Sequence, residues 1–429
     1  MIVTRLTPGT VGVLLGVILM TFGSSHASAA TKEYDIAAFG AVADGRTVNT
    51  AAIQSAIDAC AAAGGGTLVV PKGEFVTGSV FLKPGVNVEL RDGAVLKNSP
   101  DAIDFPFVDR RIEGQTRPSR WAMINADKCD GLRITGPGTL DGNNPILFAD
   151  PAAAKFKADP IISKFPQLCY IKDSHSVVVS DVKFERSAFW NLHFYRCRDV
   201  RVERTSFRVD SKVYSPSSDG IDLDSCQNAM ISDCLFDVED DCIALKGTRG
   251  PHAWDDKDSP PTENIRVAGC NFVRGHGGVS FGTEATIVRN VTIENCTATL
   301  EPKFGMLRFK IRTDTPGQLY ENIRMSNIKM LGGRGRVLLT RLNHGTKEVV
   351  KDPHRVIRNV VIENVTGECE SLGTLFGNEM TDVRDITLRN IDIKAATGDI
   401  GVSDKIENLT FDHVRVNGKA VAATRPSAP

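Results

Sequence analysis

Nine times between Val179 and Val414 the chain repeats one short unit, an apolar residue, two mostly polar ones and a further small or apolar one. The units are Val179-Ser180-Asp181-Val182, Val202-Glu203-Arg204-Thr205, Ile231-Ser232-Asp233-Cys234, Val267-Ala268-Gly269-Cys270, Ile293-Glu294-Asn295-Cys296, Met325-Ser326-Asn327-Ile328, Ile362-Glu363-Asn364-Val365, Leu388-Arg389-Asn390-Ile391 and Phe411-Asp412-His413-Val414. Their last positions are 23, 29, 36, 26, 32, 37, 26 and 23 residues apart. Strand-like content at that period, with no helix-period face between units, describes a solenoid.

The third position of the unit sets the type of solenoid. Seven of its nine residues are Asn, Asp or Gly, the residues that best tolerate left-handed backbone. A tight bend at the same place in every coil requires that conformation. Stacked coils bring such side chains about 4.8 Å apart in a column, where Asn amides hydrogen-bond along the stack. The fourth position reads as an inward column, which makes Cys234, Cys270 and Cys296 core thiols. The expected fold is all-β, a single-stranded right-handed parallel β-helix spanning 30–419.

An N-terminal helix is expected to cap it. Asn49 or Thr50 begins that helix, Ile53, Ala56, Ile57 and Cys60 form its buried face, and Gly64-Gly65-Gly66 ends it. Such a helix shields the open edge of the first coil. Strands are predicted at Thr67–Val70 and Val86–Leu90. Residues 420–429, rich in Ala, Pro and Ser, are predicted to be a disordered tail.

The chain has 429 residues, is 41% hydrophobic and carries a net charge of −1. That balance argues against nucleic-acid or membrane-surface binding. Arg5, the apolar stretch Val11–Phe22 and Ala27-Ser28-Ala29 fit an export signal over residues 1–29. The product is then secreted or periplasmic, with no membrane association after cleavage. Ten cysteines without CxxC spacing indicate neither a disulfide-dense scaffold nor a metal site.

Four polar clusters interrupt the repeat: Ser218-Asp219-Gly220, Asp240-Asp241, Gly275-His276-Gly277 and Arg308-Phe309-Lys310. Singly each reads as a turn or a solvated strand face. The repeat gives them a common register. Asp240 and His276 each stand six residues past an inward cysteine, and Asp219 and Asp241 align at the entrance of successive strands. Arg308 and Lys310 align with Gly220 and Asp222, on a face shared with Asp222 and Ser280. Clustered carboxylates cost free energy unless cations or a task compensate.

These clusters resemble glycoside hydrolase family 28, the polygalacturonases and their pectin-active relatives, in a bacterial-type member. The likeness extends from Asp35-Ile36-Ala37-Ala38-Phe39-Gly40-Ala41 through Ser187–His193 to the four clusters. Ser217-Ser218 stand where the family has Asn-Thr, and Ala285-Thr286-Ile287-Val288 where bacterial relatives often have Met-Ser-Gly-Gly. The resemblance implies an inverting hydrolase of α-1,4-galacturonosyl linkages. Asp240 is then the general acid, Asp219 and Asp241 activate water, His276 supports the acid, and Arg308 and Lys310 grip a substrate carboxylate. Asp222, Ser218 and His193 are supporting candidates. No cofactor or metal is implied; the partner is an acidic pectic polysaccharide and the protein a monomer.

Adjacent strands by themselves put backbones only about 5 Å apart, so inversion is the family's assignment and not the spacing's. Alternatives are a rhamnogalacturonan or xylogalacturonan hydrolase, a Ca²⁺-dependent pectate lyase on the same architecture, or a non-catalytic glycan-binding β-helix. The long segments 99–125, 143–170 and 248–264 are expected to block one end of the cleft, which favours action at a chain terminus.

Overall fold

The computed structural model describes residues 32–421 apart from 145–164, 211–214, 216, 303, 345–349, 351–353, 398–399 and 404. The expected export signal lies outside the described residues, as does the tail beyond Val421.

Each coil runs strand, left-handed bend, strand, corner, strand. All nine third-position residues adopt positive φ, from 48° at Arg204 to 66° at Asp181 and Gly269. The expected amide column forms: Asn327 donates to Asn295 (3.0 Å), Asn364 to Asn327 (3.0 Å) and Asn390 to Asn364 (3.3 Å). At its start an ion pair takes over, with Arg204 Nε donating to Asp181 Oδ1 at 2.7 Å. A second column stands five residues earlier in each unit. There Asn264 donates to Asn228 (3.0 Å), Asn290 to Asn264 (3.0 Å), Asn322 to Asn290 (3.0 Å) and Asn359 to Asn322 (2.7 Å). Its members also have positive φ.

The inward column is buried throughout, and all ten cysteines are free thiols in the interior. Two residues further along each coil, Phe184, Phe207, Phe236 and Phe272 stack with ring centroids 4.9, 5.1 and 5.2 Å apart. Offset aromatic stacking at the coil spacing adds to the area buried by each ring.

The cap forms as the helix Thr50–Ala62, burying Ile53, Ala56, Ile57 and Cys60. Asn49 occupies the N-cap position but makes no side-chain cap bond. Its amide instead joins Val42, Thr47 and Val76. Gln54 closes the first strand edge, receiving the Phe81 N–H (2.9 Å) and donating to the Phe81 carbonyl (3.1 Å). An amide side chain thereby takes the place of the missing neighbour strand.

One face of the solenoid is a parallel sheet that positions the polar clusters. From Val80–Phe81 it passes through Ile124–Asp127, Cys169–Lys172, Leu192–Tyr195, Ile221–Asp224, Asp241–Lys246, Gly277–Phe281, Gly305–Arg312, Arg336–His344 and Ser371–Leu375 to Gly401–Val402. Ile221, Leu223, Ile243, Leu245, Val279 and Phe281 point into the core. The alternate residues point out, so charges and hydroxyls from several coils share one surface. His193, Asp222, Ala244, Ser280 and Arg308 are in register across it. Arg308 is therefore level with Asp222, and Lys310 stands two residues beyond, opposite Arg341. The expected alignment of these cations with Gly220 and Asp222 is corrected by one pleat. The unequal coil lengths hide this shift from the sequence.

Replacing Asn327 by Ala removes two column bonds and leaves a β-carbon in the left-handed region. The variant is expected to lose about 2 kcal/mol in a guanidinium unfolding experiment. Asn327→Gly, which tolerates the backbone, is expected to lose less; equal losses would show that the backbone conformation contributes nothing.

Candidate active site

Asp219 and Asp241 enter adjacent strands, with the Gly220 N–H donating to the Asp241 carbonyl at 3.0 Å. Asp240 occupies the corner just before, and the His276 N–H donates to its carbonyl at 2.9 Å. The glycines of the Gly-His-Gly cluster are required sterically. A β-carbon on Gly275 would meet Cys242 Sγ at 2.6 Å, and one on Gly277 would fall against Ser280 Oγ and 3.1 Å from Asp241 Oδ1.

Asp241 is the most constrained group. Its Oδ1 accepts from Ser280 Oγ (2.6 Å) and Arg308 Nη1 (3.0 Å), and its Oδ2 accepts from Lys310 Nζ. Burial alone would raise this carboxyl, but Lys310 and Arg308 outweigh burial and hold it well below the usual carboxylate range. Arg308 and Lys310, to which the resemblance gives the grip on a substrate carboxylate, thus spend donors on a protein carboxylate as well.

Asp219 and Asp222 behave in the opposite way. Both lie 3.3 Å from Lys246 Nζ. Burial and the neighbouring Asp222 push Asp219 well above its ordinary value. Burial raises Asp222 to about 7 against the pull of Lys246. Two buried acids beside one cation retain a proton at neutral pH.

Asp240 is half-buried, and its Oδ1 lies 3.2 Å from His276 Nδ1. The backbone N–H of Asp241 also donates to that oxygen, at 2.9 Å. The His276 ring stacks on Phe304 with centroids 4.2 Å apart, which fixes its plane.

Asp219, Asp240, Asp241, His276, Arg308 and Lys310 all line one pocket of about 180 Å³, together with Ser217, Trp190, Lys246, Glu284, Glu113 and Arg341. Ser218 and His193 do not. Ser218 is buried and its hydroxyl accepts the Glu239 N–H at 3.2 Å. His193 is fully buried beside Gln167, with its Nε2 3.8 Å from Asp224. Burial pushes its pKa down to about 4, so the ring is neutral. Asp222 stands behind the pocket against Lys246.

Lys246 and Glu284 escaped the sequence reading. Lys246 Nζ lies 4.1 Å from the centre of the Trp190 ring and 3.8 Å from Glu284. Burial disfavours its charge, but Asp222, Asp219 and Glu284 outweigh burial and raise its pKa. Burial also opposes the charge on Glu284, yet Lys246, Arg312 and Lys310 bring it down to about 2. The available signal was the Ile-Ala-Leu-Lys strand itself, whose period of two places Lys246 on the face of Asp222 and Asp224.

An antiparallel hairpin, Phe107–Ile112 with Gln115–Arg120, reaches the pocket with its tip, where Glu113 is part of the lining. Ile112 packs with Phe165, Ala188, Phe189 and Trp190. Thr248 Oγ1 donates to the Gly114 carbonyl (2.9 Å), and Arg249 pairs with Glu113 (3.5 Å). Two of the three segments expected to block the cleft therefore meet at one point.

Acids held above and below neutrality in one solenoid cleft equip a site for cleaving glycosidic bonds. The sequence profile of glycosyl hydrolases family 28 matches residues 60–420, and the chain belongs to that family. It is a glycosidase. The chain is 26% identical to an exopolygalacturonase of Zea mays, over 80% of this chain and 78% of that one. It is 27% identical to an exo-poly-alpha-D-galacturonosidase of Dickeya chrysanthemi, over 90% and 72%. The crystal structure of a hyperthermoactive exopolygalacturonase from Thermotoga maritima shares the fold, with a TM-score of 0.70 at 23% identity over 89% of this chain and 92% of that one.

The raised Asp222 makes a pH signature. Between its ordinary 3.8 and about 7, the unfolded chain has released a proton that the folded chain keeps. Stability contributed by this group therefore falls as pH rises through that window. Asp222→Asn is expected to gain stability relative to the wild type as pH rises across it. Parallel urea curves at each pH check this, and a constant difference would contradict it.

Proposed function

We propose that the protein is an inverting exo-acting hydrolase of polygalacturonan, working from a chain terminus. The observation that carries the reading is the hairpin tip at Glu113 and Gly114, clamped by Thr248 and Arg249 against the wall of the pocket that holds the acids. A hairpin tip held there would stop a polymer from running on and favour its terminal residue. The names of the Zea mays and Dickeya chrysanthemi relatives agree with this mode of action.

In this reading Asp240, the half-buried acid beside His276, protonates the leaving oxygen. Asp219 and Asp241 flank the water. Asp241 is held ionised and has both oxygens engaged, so it orients. Asp219, whose proton affinity burial and Asp222 raise, is the stronger base of the pair; in the state where the shared proton sits on Asp222, it takes the proton from water. Arg341 and the remaining donors of Arg308 and Lys310 receive the substrate carboxylate.

Time-resolved NMR on polygalacturonate tests the scheme. The first product is expected to be a short terminal saccharide in the β configuration, with no ladder of intermediate oligomers. A retained anomer would sink inversion and an early ladder would sink exo action. Asp240→Asn is expected to slow turnover about 10²–10⁴-fold while the protein still folds; near-normal turnover would remove Asp240 from the role of acid.

We also read residues 1–29 as an export signal that delivers the protein to the medium or periplasm, supported by the Arg5, apolar and Ala-Ser-Ala order. N-terminal sequencing of the exported protein is expected to begin at Ala30. An intact Met1 on the mature protein would contradict it.

A further inference from the structure

On the far side of the hairpin from the acids lies a larger cavity, of about 430 Å³. It shares no lining residue with the acid-lined pocket. Its floor is the outward face of the coils that precede Asp222, with Asn125 and Tyr170 in one register and Asp127, Lys172 and Tyr195 in another. Its volume falls in the range of small-molecule sites.

Two neighbouring arginines of the hairpin enter it, each over a tyrosine. Arg111 lies 5.1 Å from the Tyr195 ring and donates to Asp224 at 3.1 Å. Arg110 lies 4.8 Å from the Tyr170 ring, yet none of its three guanidinium nitrogens has a hydrogen-bond partner among the described residues. It is only 5% exposed. Burial draws its pKa down to about 10, so it is still a cation at neutral pH.

A desolvated guanidinium without a carboxylate is costly to keep. The other cations of the cavity are already engaged: Lys172 with Asp127 (3.1 Å) and Arg196 with Asp173 (2.6 Å) and Asp258 (2.9 Å). Arg110 is thus the cation left for an incoming anion. At the mouth, Phe81 and Trp121 meet edge to face with centroids 5.1 Å apart, and Phe81 is 38% exposed. Such rings are suited to covering the apolar face of a sugar.

We propose that this cavity is a second ligand site, separate from the acid cluster, which takes a small carboxylated sugar, its carboxylate on Arg110 and its ring against Trp121. The bidentate geometry of guanidinium and carboxylate makes the charged sugar preferred over its neutral counterpart. The site lies behind the hairpin whose tip would stop the polymer, so it takes free saccharide and not the chain being cut.

The test is calorimetric titration of the full chain with D-galacturonate, and with D-galactose as the neutral control. Arg110→Met is expected to weaken one galacturonate-binding step about tenfold or more, while kcat/KM on polymer stays within about twofold. Removing an unpaired buried cation is expected to leave the ligand-free protein at least as stable. Trp121→Ala, at the half-buried rim, weakens the same step and does not touch the buried guanidinium. If no galacturonate-binding step is weakened by either variant, or if galactose binds as well as galacturonate, the proposal is overturned. It borrows from the proposed function only the class of sugar. A protein that binds galacturonate through Arg110 but does not cleave polygalacturonan would refute the earlier reading and leave this one standing.

Discussion

Everything in the molecule depends on coils lying in register at the strand spacing of about 4.8 Å. Hydrogen bonds between parallel strands fix that spacing along the cleft sheet, and the two amide columns repeat it at the bends. Register converts distance along the sequence into adjacency in space. Asp241 and Lys310 are 69 residues apart in the chain yet form an ion pair. A slip of one residue would turn every outward side chain inward. The left-handed bends matter for this reason, because each resets the phase of the strand that follows.

Register also explains how so many like charges tolerate one another. Asp241 meets two cations from later coils and is ionised; Asp219 and Asp222 share one cation from a neighbouring coil and keep a proton. The same residue type thus carries opposite protonation states a few ångströms apart. Two arginines of one hairpin repeat the lesson, since Arg111 has Asp224 and Arg110 has no acid of its own.

Much of this was legible in the sequence because the repeat exposes it. The Asn and Asp bends, the inward cysteines, and the pairing of Asp219 with Asp241 and of Asp240 with His276 follow from counting along the units. The second amide column was equally countable, since Asn264, Asn290, Asn322 and Asn359 each precede a bend residue by five. What counting could not reach lies where the period breaks. The hairpin 107–120 precedes the recognisable units, so neither Glu113 at its tip nor Arg110 beside Tyr170 carries a repeat position. Lys246 and Glu284 have bland sequence contexts and gain meaning only from partners in other coils. Arg308 was misplaced by one pleat because the coils differ in length.

The column of Cys234, Cys270 and Cys296 has a consequence for how the chain reaches its native state. Thiols stacked at the coil spacing have α-carbons within the range that a disulfide can span. In the finished solenoid all three are buried free thiols, sealed from oxidants, and hydrogen bonding between neighbouring thiols, with burial, raises Cys270 and Cys296 above the ordinary thiol value. In an oxidising compartment the half-wound chain lacks that seal, and an early cross-link between coils would trap it. In such a compartment winding would have to outrun oxidation, and the interior that stabilises the finished enzyme would also set a time limit on its assembly.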